Sequence, residues 1–344
     1  MRGRGSVTFI IAGFVAGILV ATTGLALDIC LPTANDALLR PGGDADFFQP
    51  TVEGGVESGM FGCVRSLGHR FHKGIDIKCL QRDRRGEPTD PIHAVADGEV
   101  AFINTKPGLS NYGRYIVLRH NWDGVPVCTL YAHLSEVAFG LAVGQPVRKG
   151  QVIATMGHSA NTHEGISRER AHLHFEIDLL LSPYFHIWYP KHDPLAPPFG
   201  DFNGRNLAGL DPAAFLRAYA ANRKLNFAEY VARQPIGFTV LVGTRPFPWL
   251  TMHPEQIQPA NGAPVAYEIG MTAWGLPVAV WPRAAGEINE SQHRLLQRGL
   301  LVLSRANDAE LSQWTCSELA RRSGDGWRFT ERGEEWVQLL TYVP

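Results

Sequence analysis

The segment AHLHFEI, residues 171–177, constrains the fold more than any other part of the chain. As a β-strand it directs His172, His174 and Glu176 to one face and the intervening apolar side chains to the other. On a helix, residues two apart point in nearly opposite directions, so their side chains could not converge on one ion. The pattern therefore predicts a strand with a buried face and two neighbouring imidazoles on the other face. A half-exposed strand with two solvated histidines is the alternative.

The segment FHKGIDI supplies a second pair of polar residues, His72 and Asp76. Gly74 between them costs a helix about 1 kcal/mol relative to alanine, which favours a turn that enters a short strand. Imidazole and carboxylate both bind zinc, and one further imidazole would complete the three protein ligands of a catalytic zinc site. The alternative is a surface His–Asp contact worth under about 1 kcal/mol.

A third segment, TLYAHLS, places His133 at the end of the strand-like run VPVCTLYA. On its own it would suggest only a buried, hydrogen-bonded histidine. The three segments are joined in order by HAVADGEVAFI, NYGRYIVLRH and VRKGQVIATMG. Together they closely resemble the lysostaphin-type (LytM-like) zinc metallopeptidases, which cut the peptides of peptidoglycan. The resemblance covers roughly residues 60–200, with boundaries good to a few positions.

The resemblance implies a role for each motif residue. In that family the HxxxD histidine and aspartate and the second histidine of HxH bind zinc, which implies His72, Asp76 and His174 as ligands of one Zn²⁺ here. The first histidine of HxH and the one in the YAHLS-like segment act on the water and the substrate carbonyl, which implies His172 and His133 as catalytic residues. The sequence leaves open which of the two is the base and which the electrophile.

All five of these residues are present, which favours a working enzyme that hydrolyses peptide bonds in peptidoglycan cross-links or stems. The alternative is a non-catalytic wall-associated activator or binding protein of the same fold, as found among relatives that have lost ligands. Sugar-phosphotransferase carrier domains share the architecture as well, but they are cytoplasmic, whereas this chain begins with a segment typical of export.

The resemblance also implies a mainly β catalytic domain, an antiparallel sandwich or barrel with a duplicated hybrid motif. The residues agree with this fold class, because RYIVLRH, PVCTLYAHL and QVIATMG are β-branched or aromatic runs separated by glycine, asparagine and proline turns. We therefore predict a signal peptide at 1–26, an N-terminal extension at 27–56, a catalytic domain at 57–200 and a C-terminal α+β region of unrecognised fold at 201–344.

The start of the chain is typical of an exported protein. Arg2 and Arg4 precede an uncharged run, residues 5–27, that contains a small-x-small pattern suited to cleavage after Ala26. We expect a secretory signal peptide and a periplasmic or extracellular location. The run is long enough to span a bilayer, which needs about 20 residues, so contact with the membrane through an uncleaved anchor is the alternative.

The charge of the chain argues against nucleic acid as a partner. The formal net charge is -1, and the loss of Arg2 and Arg4 with the leader would take it to -3. No strong basic field would then draw the protein onto nucleic acid. The expected partner is the peptidoglycan peptide, and the sequence gives no indication of the oligomeric state.

Cysteines and charged loops leave further alternatives open. A bridge between Cys63 and Cys79 would close a loop of about 15 residues and contribute roughly 3 kcal/mol, and two reduced thiols are the alternative.

Arg168 and Arg170 precede the HxH motif and could pair with a stem-peptide carboxylate, or lie in a solvated loop. The polar insertion at 78–90 predicts a surface excursion near the cleft.

The C-terminal region mixes strand-like and helix-like segments. FTVLVG and PVAVW predict strands, and DPAAFLRAYAANRK predicts a helix with Asp211 as N-cap and Pro212 in its first turn. Trp249, Trp274 and Trp281 could line a glycan platform, although aromatic residues more often belong to the core. The region is either a wall-targeting module or a packing domain without a ligand of its own.

Overall fold

The computed structural model describes residues 27–161, 165–193 and 199–344. The leader predicted over residues 1–26 lies outside these ranges. The segment that follows it contains two 3₁₀ turns, Ala37–Leu39 and Val56–Gly59, and the short helix α1 (Asp44–Phe47). Among the described helices, none combines the length and the apolar character that a bilayer crossing requires.

Within the described residues, the chain up to residue 210 contains twelve strands. They are β1 (Gly62–Arg65), β2 (Arg70–His72), β3 (Ile75–Lys78), β4 (Pro91–His93), β5 (Gly98–Asn104), β6 (Arg114–Trp122), β7 (Val125–Leu134), β8 (Glu136–Val137), β9 (Pro146–Val147), β10 (Val152–Thr155), β11 (His172–Leu180) and β12 (Leu207–Leu210). Short 3₁₀ turns at Pro107–Leu109, Arg168–Arg170 and Gly204–Asn206 interrupt the loops.

The main sheet has seven antiparallel strands. Its order is β12-β11-β7-β6-β5-β9, and β3 pairs with β11 on the edge opposite β7. A three-stranded sheet, β4-β10-β8, and the β1-β2 hairpin complete this half. The predicted mainly antiparallel β class is confirmed, and within the described residues the main sheet is open, because its two end strands do not pair with each other.

Strand β11 shows why the sheet forms as the sequence indicates. Leu173, Phe175 and Ile177 are buried on its apolar face and join the main hydrophobic core. The core also takes Ile75 and Ile77 from the paired strand β3. The two-residue alternation therefore fixes which face of β11 packs inward, and the histidines necessarily occupy the opposite face.

The second half contains a four-stranded antiparallel sheet of order β15-β14-β13-β16. Its strands are β13 (Phe238–Val242), β14 (Ala266–Met271), β15 (Pro277–Arg283) and β16 (Val302–Ala306), followed by the hairpin β17 (Ala320–Ser323) and β18 (Gly326–Phe329). The helices are α2 (Phe185–His192), α3 (Pro212–Ala221), α4 (Phe227–Ala232), α5 (Pro248–Met252), α6 (Glu290–Gln297), α7 (Asp308–Gln313) and α8 (Glu331–Leu340). The remaining 3₁₀ turns are Pro254–Gln256, Ala285–Glu287 and Thr315–Ser317.

The predicted helix after residue 210 is confirmed with its cap. Asp211 accepts hydrogen bonds from the backbone amides of Ala213 and Ala214, and Pro212 occupies the first turn of α3. The strands predicted from FTVLVG and PVAVW are β13 and β15. The domain boundaries given above stay predictions, because the main hydrophobic core runs through both halves of the chain.

Two of the three tryptophans considered for a glycan platform are core residues. Trp249 is fully buried and donates to Oε1 of Gln256. Trp274 packs against Trp314, with ring centroids 4.4 Å apart, and donates to the carbonyl oxygen of Gly209 in β12. Trp274 therefore joins the C-terminal region to the main sheet. Of the three tryptophans, Trp281 is half-buried.

The proposed bridge between Cys63 and Cys79 is wrong. Cys63 is bonded to Cys316, with the two Cα atoms 5.6 Å apart. Cys79 is a free thiol whose sulfur lies 3.1 Å from Oδ2 of Asp90. The reason is topological: Cys63 lies in the β1-β2 hairpin, which packs against the C-terminal region, whereas Cys79 follows β3 in the main sheet. Nearness in sequence did not indicate nearness in space.

Removing the disulfide should destabilise the protein substantially. The bond joins residues 253 positions apart, so replacing Cys63 and Cys316 with serine should lower the free energy of unfolding by about 3–5 kcal/mol. Denaturant unfolding of the double variant beside the oxidised protein measures the difference. Cys79→Ser is the matched control and should change stability by less than about 1 kcal/mol. An unfolding midpoint that does not respond to reductant would contradict the bond.

The buried His120 should make stability depend on pH. Burial lowers its pKa to about 4, while its ring nitrogens bond to the carbonyl oxygen of Asp97 and the hydroxyl of Thr129. In the unfolded chain the pKa is about 6.5, so between these values the unfolded state binds the extra proton. The stabilising effect is complete above pH 6.5 and is lost as the pH falls toward 4. It amounts to about 3 kcal/mol.

His120→Gln should remove this part of the pH dependence. The free energy of unfolding, measured from pH 7 to pH 4, should fall less steeply in the variant than in the unmodified protein. Parallel curves for the two proteins would show that His120 titrates normally in the folded state.

Candidate active site and metal centre

The structure brings His72, Asp76 and His174 together in one buried group. Nε2 of His72 lies 3.2 Å from Oδ1 of Asp76, Nδ1 of His174 lies 3.0 Å from the same oxygen, and the two nitrogens are 3.1 Å apart. These three atoms form a nearly equilateral triangle. A tetrahedral metal ion with bonds of 2.0–2.1 Å needs ligand atoms roughly 3.3 Å apart. The donor set and its spacing therefore fit a single divalent ion.

Strand register explains why residues so distant in sequence meet. Asp76 in β3 stands directly opposite His174 in β11, and directly opposed residues share a face of the sheet. His72 ends β2, and two residues, the second of them Gly74, connect it to β3. A Cβ atom on Gly74 would lie 2.5 Å from the carbonyl oxygen of Phe175. Only glycine lets the chain approach β11 this closely, which places His72 and Asp76 at the same centre.

Hydrogen bonds on the outer side of each ligand set the tautomers. Nδ1 of His72 lies 2.6 Å from the carbonyl oxygen of Met60 and donates to it, which leaves Nε2 free toward the centre. Nε2 of His174 lies 2.8 Å from Oε1 of Glu176 and donates to that carboxylate, which leaves Nδ1 free. In their neutral form both rings direct a lone pair inward, as metal-binding histidines do.

His172 and His133 lie beside the triangle but outside it. Nε2 of His172 is 3.3 Å from Oδ2 of Asp76, and its Nδ1 donates to the carbonyl oxygen of Arg170. Nδ1 of His133 donates to the carbonyl oxygen of Ser159 over 2.9 Å. The rings of His133 and His172 stand 4.9 Å apart, edge to face. The ring of His133 also lies 5.8 Å from that of His174, next to the candidate metal position.

The backbone at His133 is held in an unusual conformation. Its φ is 61°, in the left-handed region that costs a non-glycine residue roughly 1–2 kcal/mol. Its amide donates to the carbonyl oxygen of Tyr112, which fixes this conformation at the end of β7. The strained residue therefore has its ring directed at the centre instead of along the strand.

The charges in the site are set by burial and by ion pairs. Burial alone would raise the pKa of Asp76, but the attraction of His172, His72 and Arg65 holds it well below its usual range. Burial would lower the pKa of His174, yet hydrogen bonds to Asp76 and Glu176 outweigh it and raise this pKa to about 9. The carboxylates of Asp76 and Glu176 therefore stabilise positive charge on the His174 ring, carried by a proton at Nδ1 or by a metal ion that replaces it.

The two flanking histidines are neutral. Burial lowers the pKa of His172, with Asp76 opposing the shift, and burial lowers that of His133 well below its usual value. Neutral rings with a free Nε2 can accept a proton, which a general base must do.

A second carboxylate, that of Glu176, hydrogen-bonds to His174 on the side away from the triangle. Glu176 is buried, accepts from His174 and from the hydroxyl of Tyr112 over 2.8 Å, and lies 2.9 Å from the ammonium of Lys73. Burial would raise the pKa of Glu176, but Lys73 and His174 lower it below its usual range. An ionised Glu176 therefore fixes the orientation of His174, a role that the sequence alone did not assign.

Sequence reasoning also missed Arg65 and Tyr112. Arg65, in β1, donates to Oδ2 of Asp76, and its Nη2 lies 3.0 Å from Nε2 of His72. Arg65 lies outside the recognised motifs, so nothing in the sequence pattern singles it out. Tyr112 is different, because it belongs to NYGRYIVLRH, one of the segments that carry the family resemblance.

The charged side chains of the loops before β11 contact one another and the neighbouring backbone. Arg168 donates to the carbonyl oxygen of Arg85 and lies 3.7 Å from Oε1 of Glu87. Arg82 donates back to the carbonyl oxygens of Arg168 and Glu169. The insertion at 78–90 is thus a surface excursion beside the site. Its residues form the contacts of Arg168, the side chain that was considered above as a partner for a substrate carboxylate.

Arg170 and His158, two further residues of this loop, form hydrogen bonds to groups other than the candidate metal ligands. Arg170 donates to the carbonyl oxygen of Pro50. His158 bonds to the carbonyl oxygen of Ile166 and to Oε2 of Glu87. His163 lies outside the described residues.

The centre lies at one side of a cleft of about 1010 Å³. His72, His174 and Tyr112 line the catalytic side, and Trp274 and Trp336 line the side contributed by the C-terminal region. A cleft of this size accommodates a drug-sized or peptide ligand. The C-terminal region therefore forms a wall of the candidate substrate site.

Residues 70–183 match the sequence model of peptidase family M23, and all five candidate site residues lie within the match. This segment is similar to an M23 peptidase domain. The resemblance to lysostaphin-type peptidases predicted from the motifs is thereby confirmed. Among curated proteins, none matches the chain.

Several solved structures are similar to parts of the chain. One is a zinc-containing peptidase from Vibrio cholerae, 29% identical over 31% of this chain, with a TM-score of 0.24. The match spans only 26% of that peptidase. The catalytic domain of the antimicrobial peptidase lysostaphin from Staphylococcus simulans is 21% identical over 50% of this chain and 88% of its own length, with a TM-score of 0.28.

The catalytic domain of the prophage-encoded M23 protein EnpA from Enterococcus faecalis is also similar. It is 21% identical over 34% of this chain and 75% of its own length, with a TM-score of 0.26. All three likenesses are partial, so the M23 assignment stands on the family match and on the five residues within it.

Proposed function

We propose that this chain is an exported zinc metalloendopeptidase that hydrolyses peptide bonds in the cross-links or stems of peptidoglycan. The observation that carries the proposal is the inward-facing triangle of His72, Asp76 and His174, with two neutral imidazoles beside it. The M23 match supports the reaction class, and two imidazoles with one carboxylate are a donor set that zinc accepts.

The side chains of the site have separate roles in metal binding and proton transfer. Zinc held by His72, Asp76 and His174 would lower the pKa of a bound water toward about 7 and polarise the scissile carbonyl. Nε2 of His172 accepts the proton of the attacking water, because Oδ2 of Asp76, 3.3 Å away, stabilises the imidazolium that results. His172 then returns the proton to the leaving amine.

His133 has a different environment from His172. The structure gives it no direct carboxylate partner among the described residues, and its Nδ1 is engaged by Ser159. We assign it to orient the water and the carbonyl group beside His172. The wall formed by Trp274 and Trp336 would hold the peptide along the cleft and reduce access of bulk water to the reacting bond.

The proposed location is supported by the leader pattern and by the disulfide. Peptidoglycan lies outside the cytoplasmic membrane, so the enzyme must be exported to reach it, and the sequence pattern of residues 1–26 is typical of an export signal. The bond between Cys63 and Cys316 suits an oxidising compartment. We therefore propose a periplasmic or extracellular enzyme, with membrane contact only if the leader is retained.

Digestion of purified sacculi tests the proposal. The protein should release peptide fragments with new amino termini, identified by mass spectrometry, and a chelator should stop the release until zinc is restored. Binding to sacculi without fragment release would favour the non-catalytic alternative. New reducing sugar ends without new amino termini would overturn the peptidase assignment.

A further inference from the structure

Arg65 is the one cationic side chain that contacts two of the candidate metal ligands within the described ranges. Its side chain is 16% exposed, and it donates to Oδ2 of Asp76. The same nitrogen, Nη2, lies 3.0 Å from Nε2 of His72. A guanidinium therefore stands against the edge of the triangle on which the metal centre depends.

This contact conflicts chemically with metal binding. Nδ1 of His72 donates to Met60, so Nε2 carries the only free lone pair of the ring. That lone pair can accept a hydrogen bond from Arg65 or bind a metal ion, but it cannot do both. The guanidinium is a cation, so it also repels a divalent cation at close range.

The backbone fixes Arg65 in this place from both sides. The register between β1 and β2 shifts between Cys63 and Arg65, and the next two residues, Ser66 and Leu67, have left-handed φ values of 49° and 57°. On the other side, Cys63 is bonded to Cys316 of the C-terminal region. Arg65 is therefore the last residue of a short strand, β1, that is covalently bonded to the C-terminal wall of the cleft through Cys63.

We propose that Arg65 competes with the metal ion for His72 and Asp76, and that the Cys63–Cys316 disulfide sets the strength of this competition. The proposal rests on the proposed function, since it assumes that this centre takes zinc. When the metal binds His72, Arg65 must leave Nε2, although it can keep its bond to Oδ2 of Asp76. The C-terminal region would then influence zinc affinity through one strand, without contributing a ligand.

The first test is the zinc affinity of arginine variants, measured by competition with a chromophoric chelator. Arg65→Ala should bind zinc more tightly than the unmodified protein, by about tenfold or more, the range over which residues next to metal ligands change affinity. The zinc affinity of Arg65→Lys should lie between those of Arg65→Ala and the unmodified protein. A lysine keeps the positive charge but cannot hydrogen-bond to both His72 and Asp76 as the guanidinium does.

Arg70→Ala is the matched control, since Arg70 is an exposed arginine in the same hairpin. Its zinc affinity should stay within about twofold of that of the unmodified protein, because exposed charges are screened. Weaker or unchanged zinc binding in Arg65→Ala would overturn the competition. Circular dichroism and thermal unfolding of each variant would establish that the fold is retained.

The second test is a double-mutant cycle with the disulfide. Replacing Cys63 and Cys316 with serine should tighten zinc binding, because β1 is then free to withdraw Arg65. The same replacement in the Arg65→Ala protein should leave zinc affinity unchanged. Equal effects in both backgrounds would overturn the coupling to Arg65.

The outcomes separate this inference from the proposed function. Zinc binding absent from every variant would overturn the metal centre itself, and the competition with it. Zinc binding present in the unmodified protein, but not tightened by Arg65→Ala, would overturn the competition alone.

Discussion

Replacing His174 with alanine should abolish zinc binding and lower the rate of peptidoglycan hydrolysis by about a thousandfold or more. His174 supplies one corner of the triangle and is the ligand that Glu176 orients, so its loss leaves only His72 and Asp76. A metal ion contributes several kcal/mol of transition-state stabilisation, and about 4 kcal/mol corresponds to a thousandfold in rate. Zinc content after dialysis and the release of peptides from sacculi measure both effects.

His186→Ala is a suitable control for this variant. His186 is a half-exposed histidine in the same M23-containing half of the chain, and it pairs with Asp201 away from the centre. Its loss should leave zinc content at one ion per chain. Retention of a full zinc equivalent by His174→Ala would show that the metal lies elsewhere.

Replacing His172 or His133 with alanine should separate catalysis from metal binding. Neither residue belongs to the triangle, so both variants should keep one zinc ion, whereas turnover should fall by about a hundredfold or more through loss of proton transfer or carbonyl polarisation. Single-turnover hydrolysis of a defined stem peptide, measured together with zinc content, distinguishes these effects.

The two variants should also differ from each other. Loss of His172 removes the proposed base, so the dependence of turnover on pH should lose its lower-pH limb, whereas His133→Ala should lower turnover without removing that limb. Unchanged turnover in either variant would exclude that residue from catalysis. Loss of zinc from either would instead make it a ligand.

The sequence was most informative where local chemistry and strand geometry agree. The two-residue alternation in AHLHFEI predicted β11, its buried face and the pair of histidines on the other face. Gly74 predicted the break before β3, although the close approach to Phe175 that requires glycine is visible only in the structure. The motif residues were assigned by family resemblance, and the register of β3 on β11 supplies the physical reason that they meet.

Long-range packing was not accessible in the same way. The partner of Cys63 lies in a region of the chain with no recognised motif, so no local pattern could have identified Cys316. Arg65 acquires its role only because β1 folds back over the triangle. The contribution of Trp274 and Trp336 to the cleft likewise depends on how the two halves pack. Apolar side chains specify burial but not the surface against which they are buried.

The most direct test of the metal centre is anomalous diffraction at the zinc absorption edge from crystals of the full chain. We expect a single strong peak about 2.0–2.2 Å from Nε2 of His72, a carboxylate oxygen of Asp76 and Nδ1 of His174. A peak at another group of side chains, such as His158 with Glu87, would contradict the assignment of the ligands and the function derived from it.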